Sequence, residues 1–298
     1  MSNSVITEPK TPPTTTQYGV CLLPTDLIAA PVDLARGVEQ RELDMMFFAE
    51  GSHVPVKHTK NSYSTNAVVQ PFARMYDSIT SLAACAAVTS KIKLGTGVCL
   101  LTERDPIITA KAIASLDQIS NGRVIFGVAG GFMREAIENH GCSFKDRWAI
   151  VRDRALAIQT IWTNELAEYH GEFVDFDPLW SYPKPRQAGG PPLYIGSNHG
   201  KVPDRVADYA DGWMPIYERY EGDPVEDLRQ ACDLRNRDFA ELTLYLFGAP
   251  LDEKIIEGFT ERGVHGFVFL IPSESDQVMS ELDKVAALVE RLRNNRYS

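Results

Sequence analysis

The alternation of strand-like and helix-like segments predicts that this chain folds as a (β/α)8 barrel, an α/β fold. Eight short apolar stretches occur, and each is followed by a segment in which apolar residues recur at helical spacing. Such regular alternation is typical of a parallel sheet covered by helices. The length of 298 residues suits one barrel domain.

The strand candidates are apolar runs at residues 18–23, 45–49, 92–99, 124–128, 193–196, 213–216, 242–247 and 267–271. The helix candidates are residues 27–42, 75–90, 106–119, 146–162, 202–209, 224–236, 252–262 and 276–293. Residues 1–16 are rich in Thr, Pro and Ser and lack apolar periodicity, so we expect a disordered leader there. A single barrel domain is expected at residues 17–298.

The third strand, its helix and the fourth strand form the best-defined unit. Asp105 is a plausible helix N-cap, and Pro106 suits the first helical position. Apolar residues then repeat at helical spacing until Asn121-Gly122, which ends the helix. Both strands of this unit lead into glycine-containing segments. Because parallel strands end at the same edge of a sheet, bare backbone there leaves room for a flat ligand.

Two predicted connections are longer than a barrel needs. Residues 51–72 follow the second strand, and residues 129–192 follow the fourth. Long loops within compact domains are usually functional. Both insertions follow the carboxyl ends of strands, where barrel active sites are built. We therefore expect the site on this face.

Composition excludes several classes of partner. The formal net charge of −10 argues against binding to nucleic acid or to an anionic membrane. The five cysteines are scattered without a Cys-x-x-Cys pair, which favours reduced, buried thiols. No transmembrane-length run or signal pattern occurs, so a cytoplasmic location is expected. His53 and His58 lack a Cys or carboxylate that would complete a zinc set, and no metal site is predicted.

Hydrolytic barrel chemistries do not fit the strand ends either. A metal-dependent hydrolase needs a His-x-His after the first strand, where this chain has Leu23-Pro24-Thr25. Retaining glycosidases place carboxylates after strands 4 and 7. Those ends read Ala129-Gly-Gly and Phe247-Gly-Ala-Pro. Schiff-base chemistry is also unsupported, because no lysine stands at the carboxyl end of a predicted strand.

Ordered motifs across much of the chain resemble one known family. They include Gly95-Thr-Gly-Val98, Arg104-Asp-Pro106, Asn121-Gly-Arg123, Gly127-Val-Ala-Gly-Gly-Phe-Met-Arg-Glu135, Pro192-Leu-Tyr-Ile-Gly196 and Ala210-Asp-Gly-Trp213. Their order and spacing resemble the luciferase-like flavin and deazaflavin oxidoreductases, and most closely the branch that uses coenzyme F420. The resemblance implies a barrel with F420 as cofactor, or alternatively FMN.

The resemblance also implies which residues bind the cofactor. In that family the peptide matching Gly97-Val98, just before Cys99, is a non-prolyl cis bond against the cofactor ring. The loop carrying Gly130, Gly131 and Arg134 is implied to line the site. Gly196, Ser197, Asn198 and His199 match the loop that grips the cofactor phosphate, although this chain departs there from the common Gly-Gly-x-Ser-Pro. From the residues alone, Gly97 is also explained by strand twist and the two loops by ordinary turns.

Glu50 and His53 are the candidate catalytic residues. Related proteins usually place an acidic residue and a His together after the second strand, whereas Gly51 and Ser52 separate the pair here. Histidine suits proton transfer near neutral pH, and a partly buried Glu50 could donate a proton. The alternative is a loop His satisfied by backbone and a Glu that caps a turn. Trp180 and Trp213 are candidates for pocket walls, with core packing the alternative for Trp213.

The sequence therefore predicts hydride transfer between coenzyme F420 and a small organic substrate. The alternative is an FMN-dependent, oxygen-using monooxygenase supplied by an external flavin reductase, and a third hypothesis is a non-catalytic flavin-binding protein. An anionic cofactor tail would need a basic rim, for which Lys57, His58 and Lys60, or Lys184 and Arg186, are candidates. A homodimer is expected by analogy; the apolar helix face of Met75, Ile79, Leu82 and Ala86 fits a dimer contact or core packing equally well.

Overall fold

The computed structural model describes residues 10–59, 66–272 and 277–295. Its strands are β1 (Gln17–Leu22), β2 (Met45–Phe48), β3 (Lys93–Thr96), β4 (Cys99–Leu100), β5 (Val124–Ala129), β6 (Ala167–His170), β7 (Asp175–Leu179), β8 (Leu193–Ile195), β9 (Gly212–Trp213), β10 (Thr243–Phe247) and β11 (Gly266–Leu270). Its helices are α1 (Pro31–Gln40), α2 (Asn66–Ala73), α3 (Ser78–Val88), α4 (Pro106–Ile119), α5 (Arg134–Asn139), α6 (Arg147–Thr163), α7 (Val202–Tyr209), α8 (Pro224–Asp233), α9 (Glu253–Glu261) and α10 (Val278–Asn294).

The main sheet closes on itself, which confirms the predicted (β/α)8 barrel. β1 pairs in parallel with both β2 and β11, so the first and last strands of the barrel are neighbours. β3 pairs with β2 and also with β5, and β8, β9 and β10 follow around the barrel. The strand predicted at residues 92–99 is divided into β3 and β4. Between them lies the Gly97–Val98 peptide bond, which is cis, as the family resemblance implies.

Local capping explains where several helices begin. The Asp105 carboxylate accepts a hydrogen bond from the Ile108 amide, and Pro106 is the first residue of α4, as predicted. α3 begins at Ser78 rather than at residue 75, because Asp77 caps it by accepting from the Thr80 amide. α1 begins at Pro31, four residues later than predicted, since proline suits the first turn and not a helix interior.

Both predicted insertions contain secondary structure. The insertion after β2 includes α2. The insertion after β5 contains α5, α6 and an antiparallel hairpin of β6 and β7. The helix α6 was predicted, whereas the hairpin was not. The last predicted helix began at residue 276, which lies outside the described residues, and α10 is observed from Val278.

The hydrophobic core has two layers. The outer layer lies between the sheet and the helices and includes Leu34, Leu82 and Trp162. The inner layer fills the barrel and is built from Met45, Phe47, Ile125, Tyr194, Met214, Tyr245, Phe247 and Val268. Ile79, Leu82 and Ala86 are buried in the outer layer of a single chain. These three residues of α3 therefore pack on the core, in agreement with the core-packing alternative for this face, and the homodimer stays a prediction.

Further predictions concern the ends of the chain and the thiols. Residues 1–9 of the predicted disordered leader lie outside the described residues, but Lys10 is packed, with its ammonium bonded to the Pro191 carbonyl and paired with Asp211. All five cysteines are free and buried, as predicted. No helix in the described ranges combines the length and apolar character needed to span a membrane.

Candidate active site

A cavity of about 330 Å³, hereafter the ring cavity, opens at the carboxyl ends of the barrel strands. Backbone and side chains following β2, β3, β5, β8 and β9 all contribute to it. Nine predicted site residues line it, namely Glu50, Gly97, Val98, Gly130, Gly131, Gly196, Ser197, Asn198 and His199. Cys99, Arg134 and His53 are not among its lining residues.

The Gly97–Val98 peptide lies at the cavity with the inner core packed closely behind it. A Cβ at Gly97 would lie 3.0 Å from the Phe47 Cβ and 3.3 Å from the Cys21 sulfur. Gly196, across the cavity, lies under Val98, and a Cβ there would come 2.3 Å from a Val98 methyl carbon. These glycines therefore allow the strand ends to approach each other, and Gly196 lets Val98 stay out of the cavity space. Burial raises the pKa of the Cys21 thiol to about 12, so it is neutral.

The Gly130–Gly131 loop forms a second side of the ring cavity. Gly131 has a φ of +72°, a left-handed conformation that favours glycine. Gly130 packs against the stem of Arg147, and Trp148, beside Arg147 at the start of α6, lines the cavity. Arg134 instead points outward, pairing with Glu138 at 3.3 Å and lying over the Phe144 ring. Its predicted cofactor contact stays a prediction.

The loop after β8 gives the ring cavity a polar end. The Asn198 side-chain oxygen accepts from the Ile216 amide at 2.8 Å, and the indole of Trp213 donates to the Ser197 carbonyl at 3.0 Å. Both bonds fix the loop against β9. The Ser197 hydroxyl forms no hydrogen bond with any described residue and is free to meet a ligand. Trp213 is fully buried, in agreement with core packing, whereas Trp180 is 75% exposed and lies outside the cavity lining.

A larger cavity of about 620 Å³, hereafter the outer cavity, adjoins this polar end. The two cavities share Asn198, His199 and Arg219. The outer cavity continues between α7 and α8 and contains Tyr220, Gln230 and Asp227 in its wall. The two cavities therefore meet at the loop after β8.

Glu50 is buried and fully engaged at the end of β2. Its carboxylate accepts hydrogen bonds from the Ser78 hydroxyl at 2.6 Å, the Leu100 amide at 3.2 Å and the Arg104 guanidinium at 2.8 Å. Burial alone would lower the pKa of Arg104, but the hydrogen bond and charge of Glu50 outweigh it, and that pKa is raised. Burial and the Glu50 charge raise the pKa of the Cys99 thiol well above its usual value. This set of contacts suits an ionised Glu50 that holds the segment after the cis peptide.

His53 belongs to a polar group at the rim, hereafter the Ser52 cluster, formed by Ser52, His53, Glu103, Asn139 and His140. The Ser52 hydroxyl lies 2.6 Å from the Glu103 carboxylate, 2.8 Å from Nδ1 of His53 and 3.1 Å from Nε2 of His140. Nε2 of His53 lies 2.9 Å from the Asn139 amide nitrogen. The cluster borders a third cavity of about 280 Å³, which touches the ring cavity at Glu50.

Several lining residues were not singled out from the sequence for this site. They are Phe72, Leu100, Phe132, Trp148, Ile216 and Arg219. Ile216 and Arg219 follow β9, so the rule that barrel sites form at strand carboxyl ends could have found them. Phe72 comes from α2 and meets the Phe132 ring at a centroid distance of 5.3 Å. No sequence signal predicts that contact between two insertions.

The suggested basic rim is only partly at this face. Lys184 donates to the carbonyls of Ile161 and Asn164 at the end of α6, and Arg186 lies near Gly122 before β5. Both positions are at the opposite end of the barrel, so this half of the prediction is wrong. Lys60 is outside the described residues, and Nδ1 of His58 contacts the Pro55 carbonyl oxygen at 2.8 Å. Arg219 is the cation that lines the ring cavity.

The fold and the cavity define a barrel protein with a ring-sized site at its strand carboxyl ends, and the comparisons with known proteins agree. The family model described as luciferase-like monooxygenase matches residues 3–251, and the chain belongs to this family. Members of the family are oxidoreductases and monooxygenases. Across the described residues, no group of three or more His, Cys, Asp or Glu side chains is placed to hold a metal ion.

Individual relatives include both F420- and FMN-dependent enzymes. An uncharacterized protein of Mycobacterium tuberculosis is 35% identical over 279 residues, which cover 92% of this chain and 96% of that protein. An F420-dependent glucose-6-phosphate dehydrogenase of Amycolatopsis mediterranei is 30% identical over 135 residues, covering 44% of this chain and 40% of that enzyme. An FMNH2-dependent dimethylsulfone monooxygenase of Pseudomonas putida is 26% identical over 159 residues, covering 52% and 44%.

Solved structures confirm the fold. The structure of an F420-dependent secondary alcohol dehydrogenase in complex with an F420–acetone adduct superposes with a TM-score of 0.74 over 94% of this chain and 99% of that chain. The identity is 16%, so this likeness shows the shared barrel only.

Proposed function

We propose that this protein is an oxidoreductase that transfers a hydride between coenzyme F420 and a small organic substrate. The observation that carries the proposal is that the ring cavity and the outer cavity meet at three shared wall residues, Asn198, His199 and Arg219. F420 extends beyond its phosphate by a lactyl group and a glutamyl tail, whereas FMN ends at its phosphate. A second cavity beside the phosphate loop offers space for the longer cofactor. Its wall contains Asp204, Glu221 and Asp227 together with Arg219, so the anionic tail would bind on the Arg219 side.

The lining of the ring cavity fits a flavin-like group. Leu100, Phe132 and Trp148 supply apolar surface on which a planar ring can pack, and the backbone of Gly97–Val98 lies beside them. At the polar end, the Ser197 hydroxyl and the Arg219 guanidinium would bind the phosphate. When bound, the deazaflavin supplies a ring carbon that donates or accepts a hydride.

The protein residues would then position the cofactor ring, shield it from water and transfer a proton. Phe72 and Phe132 line one side of the ring cavity and would shield a bound ring from water there. Glu50 holds the Leu100 amide and therefore the segment on which the ring rests. His53 is proposed to give or take the proton that accompanies the hydride, while the ionised Glu50 positions this segment.

A side-by-side titration with F420 and FMN, each oxidised and reduced, tests the proposal directly. Cofactor fluorescence and absorbance are the readouts. Tighter binding of F420 than of FMN is expected, followed by oxygen-independent turnover with a hydride acceptor or donor. Binding of neither cofactor would contradict the proposal and favour a role without catalysis.

The phosphate contact has its own matched variants. Arg219→Gln should weaken binding of F420 but leave unchanged the binding of a deazaflavin riboside that lacks the phosphate. Arg152→Gln is the control, because Arg152 is half exposed on α6 and pairs with Asp208. Equal weakening of both ligands by Arg219→Gln would remove its assignment to the phosphate.

His53 is tested by separating binding from chemistry. His53→Ala should reduce the rate of hydride transfer while leaving the dissociation constant of F420 nearly unchanged. Stopped-flow measurement of cofactor oxidation gives the first quantity, and fluorescence titration gives the second. Equal losses in both would count against a proton-transfer role.

FMN-dependent monooxygenation is the second candidate, supported by the similarity to the dimethylsulfone monooxygenase. In that case reduced FMN would come from an external reductase, and the protein would consume oxygen in step with substrate. Preference for reduced FMN in the titration, together with oxygen uptake in an electrode, would establish this candidate over the first.

A further inference from the structure

The protons of the Ser52 cluster can be assigned by counting donors and acceptors. A hydroxyl has one hydrogen and two lone pairs. The Ser52 oxygen has three polar neighbours, and the closest is the Glu103 carboxylate at 2.6 Å, which only accepts when it is ionised. The hydroxyl hydrogen therefore points to Glu103. Both lone pairs remain for the two imidazole nitrogens, at 2.8 and 3.1 Å, and each of these nitrogens must carry a hydrogen.

This count determines the tautomer of His53. Its Nδ1 donates to Ser52, so in the neutral ring Nε2 has no hydrogen and acts as an acceptor. The Asn139 amide nitrogen lies 2.9 Å from Nε2 and donates to it. Every polar atom of the ring then has a partner of the correct kind. In histidines, the hydrogen bond at one nitrogen decides which form the other takes.

We propose that Ser52 and Glu103 are positioning residues that hold the proton of His53 on Nδ1 and leave Nε2 as the nitrogen that exchanges protons. This inference rests on the proposed role of His53 in the reaction. One proton moves in the step: it is bound at Nε2 when His53 is the acid, and it passes from Nε2 to the accepting atom of the substrate, which takes the place of the Asn139 side chain beside Nε2. Nδ1 keeps its hydrogen bond to Ser52 throughout.

Asn139 is suited to both protonation states. When Nε2 is bare, the amide NH2 group donates to it. When Nε2 is protonated, a rotation of the amide by half a turn presents the carbonyl oxygen as acceptor instead. Ser52 and Glu103 do not have to change, and the negative charge of Glu103 offsets the charge gained by the ring.

The charged surroundings of His53 come from every element beside it. The third cavity, next to Ser52, is lined by three carboxylates and one guanidinium. The carboxylates are Glu50 after β2, Asp77 at the start of α3 and Glu103 before α4, and the guanidinium is that of Arg104. His140 follows α5, and its ring centroid lies 5.5 Å from that of His53. Lys57 and His58 belong to the same loop as His53. Glu103 is the carboxylate that reaches Ser52 directly.

Gly51 and Ser52, the two residues between Glu50 and His53, each have a structural role. Gly51 fits where a Cβ would lie 3.0 Å from the Met75 methyl and 3.1 Å from the Phe72 carbonyl oxygen. Ser52 then places its hydroxyl at the centre of the cluster. His53 is thus linked to the Glu103 carboxylate through the Ser52 hydroxyl.

Nitrogen NMR of the histidine rings tests the proposal on the full chain without cofactor. Two-bond correlation spectra distinguish protonated from bare ring nitrogens, and His53→Gln identifies the signals of His53 among the six histidines. In the natural protein, His53 should show a protonated Nδ1 and a bare Nε2. Ser52→Ala should abolish this pattern, Ser52→Thr should restore it, and Glu103→Gln should give a mixture of tautomers.

Two results would overturn the proposal: a protonated Nε2 with a bare Nδ1 in the natural protein, or an unchanged His53 spectrum in Ser52→Ala. His140→Gln is the matched control, since it removes the second imidazole and should leave the His53 tautomer as it was. These spectra are recorded without F420, so failure of cofactor binding leaves the tautomer result intact. If turnover is obtained, Ser52→Ala should also displace the pH profile of the rate, and Ser52→Thr should return it.

Discussion

Gly196 is the residue on which the shape of the ring cavity depends most directly. A Cβ at this position would come 2.3 Å from a methyl carbon of Val98. Gly200 lies four residues later on the same connection, and a Cβ there would meet nothing within 4 Å. The pair therefore separates the effect of an added methyl group from the effect of reduced loop flexibility.

Gly196→Ala should push Val98 into the cavity, destabilise the fold by about 1–3 kcal/mol and weaken cofactor binding by about tenfold or more. Urea denaturation and cofactor titration measure the two effects. Gly200→Ala is expected to change neither, and Val98→Ala added to Gly196→Ala should recover binding. Normal binding by Gly196→Ala alone would show that Val98 does not form the cavity wall.

Glu50 gives a second prediction for a single residue, because its carboxylate is 4% exposed and is paired with Arg104. Glu50→Gln keeps the volume but leaves a half-buried guanidinium with Asp77 as its remaining partner. We expect a loss of stability of about 2–4 kcal/mol, since breaking one side of a buried pair is costly.

The control for Glu50 is Asp26→Asn. Asp26 pairs with Arg74, and both side chains are more than 40% exposed. Exposed pairs contribute about 0–1 kcal/mol. Equal effects of the two substitutions on the urea midpoint would show that the Glu50 contacts are not a structural anchor.

At the scale of elements, two histidines at strand ends should respond oppositely to pH. His265 precedes β11, and burial lowers the pKa of its imidazole. Its Nδ1 also accepts the Leu244 amide at 3.2 Å, a bond that protonation would break. His170 ends β6, where a hydrogen bond to Asp175 raises its pKa.

The direction of each pH effect on stability depends on whether the folded or the unfolded chain binds the histidine proton more strongly. Below the unfolded pKa of about 6.5, the unfolded chain gains a proton at residue 265 that the folded chain resists, so stability falls as pH decreases. His265→Gln should flatten this loss. For His170 the folded state holds the proton more strongly, so its contribution is present at low pH and is lost as pH rises through the raised value.

Urea unfolding between about pH 5 and pH 8 compares these variants. His170→Gln should lower stability at the acid end and leave the alkaline end unchanged. An identical pH dependence in both variants would mean that neither contact controls protonation.

For the whole molecule, barrel closure makes the two ends of the chain interdependent. β1 pairs with β11, and Arg41, which directly follows α1, pairs with Asp283 of α10 at 2.8 Å. A substitution in the last helix should therefore destabilise the barrel as a unit rather than release that helix alone.

Leu288→Ala tests this coupling, since Leu288 is 1% exposed on α10. It should lower the free energy of unfolding by about 2–5 kcal/mol. Near-ultraviolet circular dichroism, which reports on the packed aromatic core, and helical circular dichroism should shift to the same lower urea concentration. Leu234→Ala, at a position 79% exposed, is the control and should change little. Separate transitions for the two signals would contradict closure as the source of stability.

The amino-acid sequence was enough to predict the order of the elements, the barrel, a site at the carboxyl ends of the strands and nine of the residues that line the ring cavity. These follow from local causes: apolar periodicity, capping by Asp105 and Pro106, and glycines at strand ends. α1 and α3 begin later than predicted, and the causes are also local: Pro31 begins α1 and Asp77 caps α3. The apolar pattern does not show that these two residues outweigh it in setting the helix start.

The side-chain contacts between the insertions could be seen only in the folded structure. Phe72 and Phe132, or Ser52, Glu103 and His140, are far apart in the chain and come together because the loops after β2 and β5 fold over the same edge. It also placed Lys184 and Arg186 at the opposite end of the barrel and gave Glu50 a guanidinium partner. Periodicity and caps act between residues a few positions apart, whereas these contacts depend on how long loops close over a finished barrel.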